Sequence, residues 1–381
     1  MSNNKALGGK IITKPFIILA ILVGIAGVLL VKRFIFGIGS VTNLSDGYPW
    51  GMWIVYDVLV GTAIGCGGYL MAILVYIFNK GKYHPLVRPA VLTSVFGYTM
   101  AGFSILIDVG RYWQLYNIFL PWHVNLNSIM FEVAFCVATY VLVLWIEISP
   151  AFLEKFNKTK ALGFMNKILF IFIAIGVLLP TMHQSTLGTL MVIAGSKLSA
   201  LWQTGWLPVL FLISSILMGY AIVVFESLYS SVGFKRPFET PVLAKISKLM
   251  AWLVVVYLGF RFGDLIWRGE LGLIFTDGWA NSIMFIIENL LFIIPMVILF
   301  SKKNRQSTKS LFLAAIALVL AGSVYRFNAF LVGFDPGVGW HYWPSASELL
   351  ITIGIVAAEI MAYLAFVKWL PVLPNIKHST S

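Results

Sequence analysis

The chain is organised as long apolar stretches separated by short polar segments. A membrane-spanning helix needs about 20 consecutive, mostly apolar residues, and ten such stretches lie along the sequence. Nothing long is left between them, so the pattern predicts an all-α integral membrane protein in which residues 1–381 form a single polytopic domain. The predicted spans, numbered 1 to 10, cover residues 15–36, 50–78, 85–107, 125–147, 163–180, 205–229, 246–267, 279–300, 311–333 and 346–370.

Composition agrees with this pattern. Hydrophobic residues make up 60% of the chain, charged residues make up 11%, and the mean hydropathy is +0.91. Soluble domains are only about 45 to 50% apolar. Lys5, Lys10 and Lys14 precede span 1, but no small-residue cleavage site follows it. We therefore expect span 1 to be a retained first helix rather than a removed signal peptide.

The basic residues set the predicted orientation, because loops rich in Lys and Arg are retained in the cytoplasm. Of the 27 basic residues, 20 lie in the two terminal segments and in loops 2/3, 4/5, 6/7 and 8/9. Only five lie in the alternate loops. Both termini are thus predicted to be cytoplasmic. The net charge of +12 is the expected excess on that face and requires no nucleic-acid partner.

Unusual polar side chains concentrate in the half of the spans that faces away from the cytoplasm. Asp57 and Glu132 are both predicted to lie roughly 10 Å below the outer surface. Charged groups in a bilayer normally face a bundle interior or a wet cavity, because exposure to lipid is costly. The outer half is therefore predicted to enclose a polar pocket. Its other candidate members are Asp108, Arg111, His123, His183, Arg261, Asp264, Arg326, His341 and Glu348.

Two of these pairs also have a structural interpretation. Asp108 and Arg111, and likewise Arg261 and Asp264, have the i, i+3 spacing of an ion pair at a helix end. For Arg261 and Asp264 we favour the structural interpretation. For Asp108 and Arg111 the two interpretations are balanced.

Single polar residues are interpreted from their surroundings along the helix. Glu132 has no basic residue within two turns on its own span, which favours a function. His183 either has a function or caps a helix that ends at Pro180. Of the remaining acids, Glu288 and Glu359 are candidates of second rank. Glu147 and Glu226 are interpreted as acids at the membrane interface, and proton access from the cytoplasm is the alternative for both.

The sequence offers few ligands for a metal cofactor. Cys66 and Cys136 are single thiols, which excludes a cysteine-ligated iron–sulfur cluster. No two histidines are predicted to face each other in the membrane core, so we predict no haem. The glycines of residues 65–68 lie inside a span, where small residues favour close helix packing rather than nucleotide binding. The five histidines are His84, His123, His183, His341 and His378.

One spacing occurs twice. Asp108 and Glu132 are 24 residues apart, and Asp264 and Glu288 are also 24 residues apart. In each pair, the Asp lies at the outer end of one predicted helix and the Glu lies on the next helix. This repetition predicts two four-helix bundles, spans 2–5 and spans 6–9, with spans 1 and 10 at their flank.

Two short motifs resemble a known family. Residues 108–113 read DVGRYW and residues 127–132 read NSIMFE. They resemble the Asp-x-Gly-Arg and Asn-x-Ser-x-Met signatures of the NrfD/PsrC-type quinone-binding membrane subunits, although Ser follows Asn directly here. Within that family the chain is similar to the branch that serves hydrogenase-2-type [NiFe] hydrogenases. The similar segments are LGGKIITKP (7–15), YPWGMWI (48–54), YHPLVRPA (83–90), LLPTMHQS (178–185) and RFGDLIWR (261–268).

The resemblance implies a complex in the cell inner membrane. Its periplasmic partners would be the large and small subunits of a [NiFe] hydrogenase and a ferredoxin-like iron–sulfur subunit. These would pass electrons to menaquinone bound in this chain. The chain would not be active without these partners. Trp113, Trp122 and residues 334–343 are expected at the outer interface, where they would help to dock the partner.

The same resemblance implies roles for residues of the outer half. Glu132 and His183 are expected to deliver protons to the quinone, and Arg111 is expected to hold Asp108 ionised or to steady the developing charge. The other expected pocket members are Asp57, Tyr98, His123 and Asn127. Protons come either from the cytoplasm past Glu226 and Glu147, which would build a membrane potential, or from the outer side, which would not.

Three other functions remain open. The chain could serve another NrfD-type oxidoreductase, or it could be a proton-coupled secondary transporter, which should work without partner subunits. It could also be a pure anchor that binds no quinone, in which case replacing Glu132 by Gln should leave quinone reduction intact.

Overall fold

The computed structural model describes residues 4–374 and contains ten helices that are long and apolar enough to cross a membrane. This confirms the predicted number of spans. His378 lies outside the described residues. Spans 1 to 10 are Lys14–Phe36, Trp53–Ile77, Gly81–Asp108, Ile129–Lys155, Thr159–Lys197, Leu207–Gly233, Thr240–Trp267, Trp279–Phe300, Thr308–Val332 and Ala346–Trp369.

The spans form two rings of four helices. In the first ring, spans 2, 3, 4 and 5 contact one another in that order, and span 5 closes the ring on span 2. In the second ring, spans 6, 7, 8 and 9 do the same, and span 9 closes on span 6. The rings meet where spans 2 and 5 contact span 6 and where span 2 contacts span 9. The predicted pair of four-helix bundles is confirmed.

Spans 1 and 10 pack against each other at the flank, and span 10 also contacts spans 2 and 3. Gly354 makes this approach possible, because a Cβ atom placed there would lie only 2.2 Å from the Cβ of Ala26. The strand Asn4–Lys5 pairs with Leu373–Pro374 in antiparallel register. The two ends of the described chain therefore lie on the same face.

Spans 4 and 5 are longer than predicted. The helix of span 5 runs over Thr159–Ala194 with Pro180 in its interior, so the expectation that Pro180 ends it is wrong. Membrane helices tolerate proline because neighbouring helices satisfy the freed backbone groups. Leu187 and Met191 lie beyond the proline and are buried, so continued packing favours continuation of the helix. The helix of span 4 likewise passes Pro150 and ends at Lys155.

Span 2 is irregular. It contains two wide π-helical segments, Trp53–Val60 and Ile73–Ile77, with a break between Ile64 and Gly67. Wide turns of this kind occur frequently at functional sites. Asp57 lies on the first of them. At the break, Gly65 faces the ring of Tyr98, which a Cβ atom would approach to 2.7 Å. The prediction that residues 65–68 allow close helix packing is therefore confirmed.

Candidate functional site

A buried histidine lies inside the first ring. His183 is completely buried, and its Nδ1 lies 3.0 Å from the carbonyl oxygen of Leu179. Since a carbonyl only accepts, Nδ1 carries the proton and Nε2 of the neutral ring is an acceptor. The hydroxyl of Tyr98 lies 3.1 Å from Nε2 and donates to it. His183 is thus an interior residue of a continuous helix, and the interpretation that it caps a helix end is wrong.

A buried arginine lies where the rings meet. Arg326 is completely buried and donates from Nη2 to Oε1 of Gln184 at 3.1 Å and from Nη1 to the Ser214 hydroxyl at 3.2 Å. Gln184 in turn donates to the hydroxyl of Thr62 at 2.9 Å. No carboxylate of the described residues lies within 4 Å of Arg326. An unpaired buried cation is costly, so this guanidinium is available to stabilise a negative charge next to His183.

Glu132 lies close to the outer end of the same ring. Span 4 starts at Ile129, so Glu132 is in the first turn and not two turns deep as predicted. Its Oε1 accepts a hydrogen bond of 2.7 Å from the hydroxyl of Thr186. Thr186 follows His183 by three residues on span 5, which places the two groups on neighbouring positions of one helix face. Glu132 and His183 thus lie at the same wall of the ring.

The first ring opens into a cavity on the side that is predicted to be cytoplasmic. The cavity has a volume of about 590 Å³ and is lined by residues of spans 2 to 5, including Glu147, His84 and Lys158. Glu147 lies two turns inside the end of span 4 rather than at that end. A Cβ atom placed at Gly176 would lie 2.2 Å from Oε1 of Glu147 and 3.5 Å from the ring of Tyr140, so both side chains lie beside this glycine of span 5.

Tyr140 continues this line towards the buried histidine. Its ring centroid lies 4.5 Å from that of Tyr98, in an edge-to-face arrangement. Glu147, Tyr140, Tyr98 and His183 therefore lie in series from the cavity, although only Tyr98 and His183 are hydrogen-bonded and the hydroxyl of Tyr140 has no partner among the described residues. Sequence reasoning missed Tyr140, although it precedes Glu147 by seven residues and so lies on the same helix face.

Asp57 and Asp108 lie on the other side of span 2 and span 3, facing spans 1 and 10. Oδ2 of Asp57 accepts a hydrogen bond of 3.2 Å from the hydroxyl of Thr352 on span 10. Asp108 ends span 3, where Arg33 donates to the carbonyl oxygens of Ile107 and Val109 at 2.6 and 2.7 Å. Sequence reasoning gave Arg33 no role.

The expected ion pair between Asp108 and Arg111 is not present. Val109 is extended, which carries Arg111 away from the helix to an exposed position. His123 and Asn127 are also exposed, in the segment before span 4. The structure does not bring these three residues to the buried histidine. Trp113 and Trp122 are exposed in the same outer segment.

The second ring encloses an ion pair that sequence reasoning assigned differently. Nη2 of Arg261 lies 3.6 Å from Oε1 of Glu288, and both side chains are buried. Glu288 also accepts hydrogen bonds from Trp202 at 2.8 Å and from Asn328 at 2.7 Å. Asp264 pairs instead with Arg268 at 2.8 Å. The expected pair of Arg261 with Asp264 is therefore wrong, because Arg261 turns into the ring and Asp264 turns to the outer loop.

Two further acids lie outside the group of buried residues around His183. Glu348 is buried in a capping box with Ser345 at the start of span 10. Glu226 accepts hydrogen bonds from Thr93 at 2.7 Å and from Tyr363 at 2.5 Å. It therefore faces spans 3 and 10, whereas Glu147 faces the cavity of the first ring. The two acids expected on one proton path thus lie in different surroundings.

The described residues do not fit a haem held by two histidines. His183 is already engaged at both ring nitrogens, and the described histidines outside the core, His84, His123 and His341, are exposed. Among residues 4–374, no group of three or more His, Cys, Asp or Glu side chains is arranged to hold a metal ion.

These features define a polytopic membrane protein whose core carries titratable side chains. The chain belongs to the NrfD family, described as "Polysulphide reductase, NrfD", whose pattern matches residues 40–334. It is a multi-pass protein of the cell inner membrane.

Several relatives match nearly full length. The chain is 45% identical over 376 residues to the "Probable Ni/Fe-hydrogenase 2 b-type cytochrome subunit" of Escherichia coli, which covers 98% of this chain and 96% of the relative. It is 27% identical over 367 residues to the "Menaquinone reductase, integral membrane subunit" of Nitratidesulfovibrio vulgaris, covering 89% and 86%. It is 22% identical over 367 residues to the "Hdr-like menaquinol oxidoreductase integral membrane subunit" of Archaeoglobus fulgidus, covering 88% of each. These relatives support a general role in an oxidoreductase.

Proposed function

We propose that this chain is the quinone-reducing membrane subunit of a periplasm-facing [NiFe] hydrogenase. The hydrogenase large and small subunits and a ferredoxin-like iron–sulfur subunit would supply electrons, and menaquinone in the bilayer would receive them. The name of the relative from Escherichia coli supports the hydrogenase partner, and the name of the relative from Nitratidesulfovibrio vulgaris supports menaquinone as the electron acceptor. The observation that carries it is the Tyr98–His183 hydrogen bond inside a ring that opens towards Glu147.

The chemistry requires protons as well as electrons. A quinone that accepts two electrons must accept two protons to become a hydroquinone, so acids within hydrogen-bond reach of its oxygens are needed. Glu132 and His183 line one wall of the first ring and would deliver such protons. Tyr98 would transfer its hydroxyl proton to Nε2 of His183, whose neutral ring carries only the Nδ1 proton, and would regain a proton from the side of Glu147. Arg326 would stabilise negative charge on the reduced ring, because it is buried and has no carboxylate partner among residues 4–374.

Other residues keep the roles implied by the family resemblance. Asp57 and Asp108 would line only the part of the quinone pocket that extends towards spans 1 and 10, because both face away from the interior of the first ring. Arg111, His123 and Asn127 would act only at its outer rim, since their side chains are exposed.

Protons would reach this site from the cytoplasm. The cavity of about 590 Å³ would hydrate Glu147, and Tyr140 and Tyr98 would continue the path to His183. Each turnover would then remove protons from the cytoplasm and contribute to the membrane potential. Uptake of the same protons from the periplasm would not contribute to the membrane potential.

The test uses membranes that contain the complete complex. Hydrogen-dependent reduction of a menaquinone analogue is measured for the natural protein and for Glu132→Gln, with reduction of an artificial dye as the measure of hydrogenase activity. We expect the variant to lose at least tenfold in quinone reduction, since general acid catalysis contributes about 10²- to 10⁴-fold, and to keep dye reduction.

A matched control is Glu270→Gln, which removes a carboxylate from the outer loop where Glu270 pairs with Arg268. This variant should keep both activities. Unchanged quinone reduction in Glu132→Gln would instead favour a pure anchor. A natural complex without hydrogen-dependent activity would assign the chain to another NrfD-type oxidoreductase, and substrate flux without partner subunits would indicate a transporter.

A further inference from the structure

Span 10 lies outside both rings, but it presents a row of polar side chains to them. Thr352, Glu359 and Tyr363 are separated by seven and four residues, a spacing that places them on one helix face. Two of the three bond directly to acids of other spans. Thr352 contacts Asp57 on span 2, and Tyr363 contacts Glu226 on span 6.

The row begins at Glu226 near the predicted cytoplasmic face. Its two carboxylate oxygens accept hydrogen bonds from Tyr363 and Thr93, so spans 3, 6 and 10 meet at this acid. A small cavity of about 20 Å³ reaches Glu226 between Arg236 and Glu239 of loop 6/7. This volume suffices for about one water molecule. Burial raises the pKa of Glu239, although Arg236 opposes this effect, and Glu239 therefore holds a proton more readily than an exposed acid.

Glu359 occupies the middle of the row. Its Oε1 would lie 3.5 Å from a Cβ atom placed at Gly97, and the same Cβ would lie 3.3 Å from the carbonyl oxygen of Gly61. The two glycines leave a recess between spans 2 and 3 that accepts this carboxyl group. Tyr363 follows Glu359 by one turn, about 6 Å along the axis.

Asp57 ends the row in the outer half. Gly61 lies one turn after Asp57 on span 2, so the recess that holds Glu359 is about 6 Å closer to the cytoplasm than Asp57. One or two water molecules span such a gap. Asp57 is only 5% exposed, and its Oδ1 has no hydrogen-bond partner among the described residues.

We propose that span 10 provides a second proton relay, which runs from Glu226 through Tyr363 and Glu359 to Asp57. This inference rests on the proposed function, and it explains why Glu226 and Glu147 face different routes. Two electrons arrive from the partner's clusters, and each of the two quinone oxygens forms one O–H bond. Glu132 and His183 supply one proton through the first ring, and Asp57 supplies the other. The cytoplasm replaces both.

The experiment compares Glu359→Gln and Tyr363→Phe in membrane vesicles that contain the complete complex. Hydrogen-dependent reduction of the menaquinone analogue, dye reduction and the solvent isotope effect in D₂O are measured. We expect each variant to lose at least tenfold in quinone reduction, to show a larger isotope effect and to keep dye reduction. Glu359→Asp should restore part of the rate. The matched control is Tyr229→Phe, because Tyr229 is an exposed tyrosine of span 6 that stacks on Phe225.

The outcomes separate this relay from the proposed function. If Glu132→Gln loses quinone reduction but Glu359→Gln and Tyr363→Phe both keep the natural rate and isotope effect, the relay is wrong and the proposed function stands. If the natural complex reduces no quinone, the proposed function itself fails. If Glu359→Gln prevents assembly of the complex, Tyr363→Phe decides alone, and a natural rate in that variant overturns the relay.

Discussion

At the residue scale, the charged groups inside the membrane are held in two different ways. Arg261 and Glu288 form a buried pair to which Trp202 and Asn328 add hydrogen bonds. Arg326 has only neutral partners among the described residues. A paired charge is a stable part of the fold, whereas a charge without a counterion responds strongly to a new negative charge nearby.

Removing one member of the buried pair should be more damaging than removing both. We expect Arg261→Leu and Glu288→Leu each to destabilise the protein by about 3 to 5 kcal/mol, because the remaining charge is left buried and unpaired. The double variant should be destabilised by less than either single variant. Thermal unfolding of the purified complex measures this difference, and additive losses would show that the two side chains are not coupled.

The hydrogen bond between Thr186 and Glu132 should position this acid. We expect Thr186→Val, which keeps the shape but removes the donor, to lower quinone reduction about fivefold, since a hydrogen bond of this kind contributes about 1 kcal/mol. Thr186→Ser keeps the hydroxyl and should restore the rate. Steady-state rates of quinone and dye reduction test this. Equal rates in the Val and Ser variants would contradict a positioning role.

At the element scale, the irregular span 2 brings the two rings into contact. Its break at Gly65 lets Tyr98 approach the backbone closely, and Tyr98 is the residue that donates to His183. A larger side chain at this position must push the ring of Tyr98 away from the histidine. The geometry of the buried network thus depends on a residue that has no side chain.

A pair of glycine variants tests this dependence. We expect Gly65→Ala to destabilise the protein by about 1 to 3 kcal/mol, which is typical of overpacking, and to lower quinone reduction. Gly102→Ala is the control on span 3, because nothing lies within 4 Å of a Cβ atom placed there. Melting temperatures and quinone reduction of both variants are compared. Equal melting temperatures and equal rates in the two variants would mean that the ring of Tyr98 moves aside without loss of stability or activity.

At the scale of the whole molecule, both described ends of the chain lie on one face, and the basic loops predict that this face is cytoplasmic. Single cysteines test the orientation. Trp122→Cys is placed on the opposite face and Lys303→Cys in loop 8/9, and both native positions are exposed. A membrane-impermeant maleimide applied from the periplasm should label only Trp122→Cys.

The native thiols should contribute little background, because Cys66 and Cys136 are buried. The natural protein is the control for this background. Labelling of Lys303→Cys from the periplasm without labelling of Trp122→Cys would reverse the orientation, and with it the side from which Glu147 and Glu226 take up protons.

The ten spans could be predicted from the sequence alone, because every span must be apolar over about 20 residues and this is a property of local composition. The two four-helix bundles were predicted from the spacing of Asp108 with Glu132 and of Asp264 with Glu288, although the structure places Glu132 in the first turn of span 4 and Glu288 nine residues after the start of span 8.

Which polar groups meet could not be read from the sequence. Arg261 pairs with Glu288 on span 8 instead of with Asp264, which pairs with Arg268 at the end of its own helix. Arg33 of span 1, and not Arg111, bonds the end of span 3. Burial in a membrane favours any partner that the packing places nearby, and the packing depends on contacts far apart in sequence. For the same reason no local pattern along the chain reveals that Glu226 faces spans 3 and 10 whereas Glu147 faces the cavity.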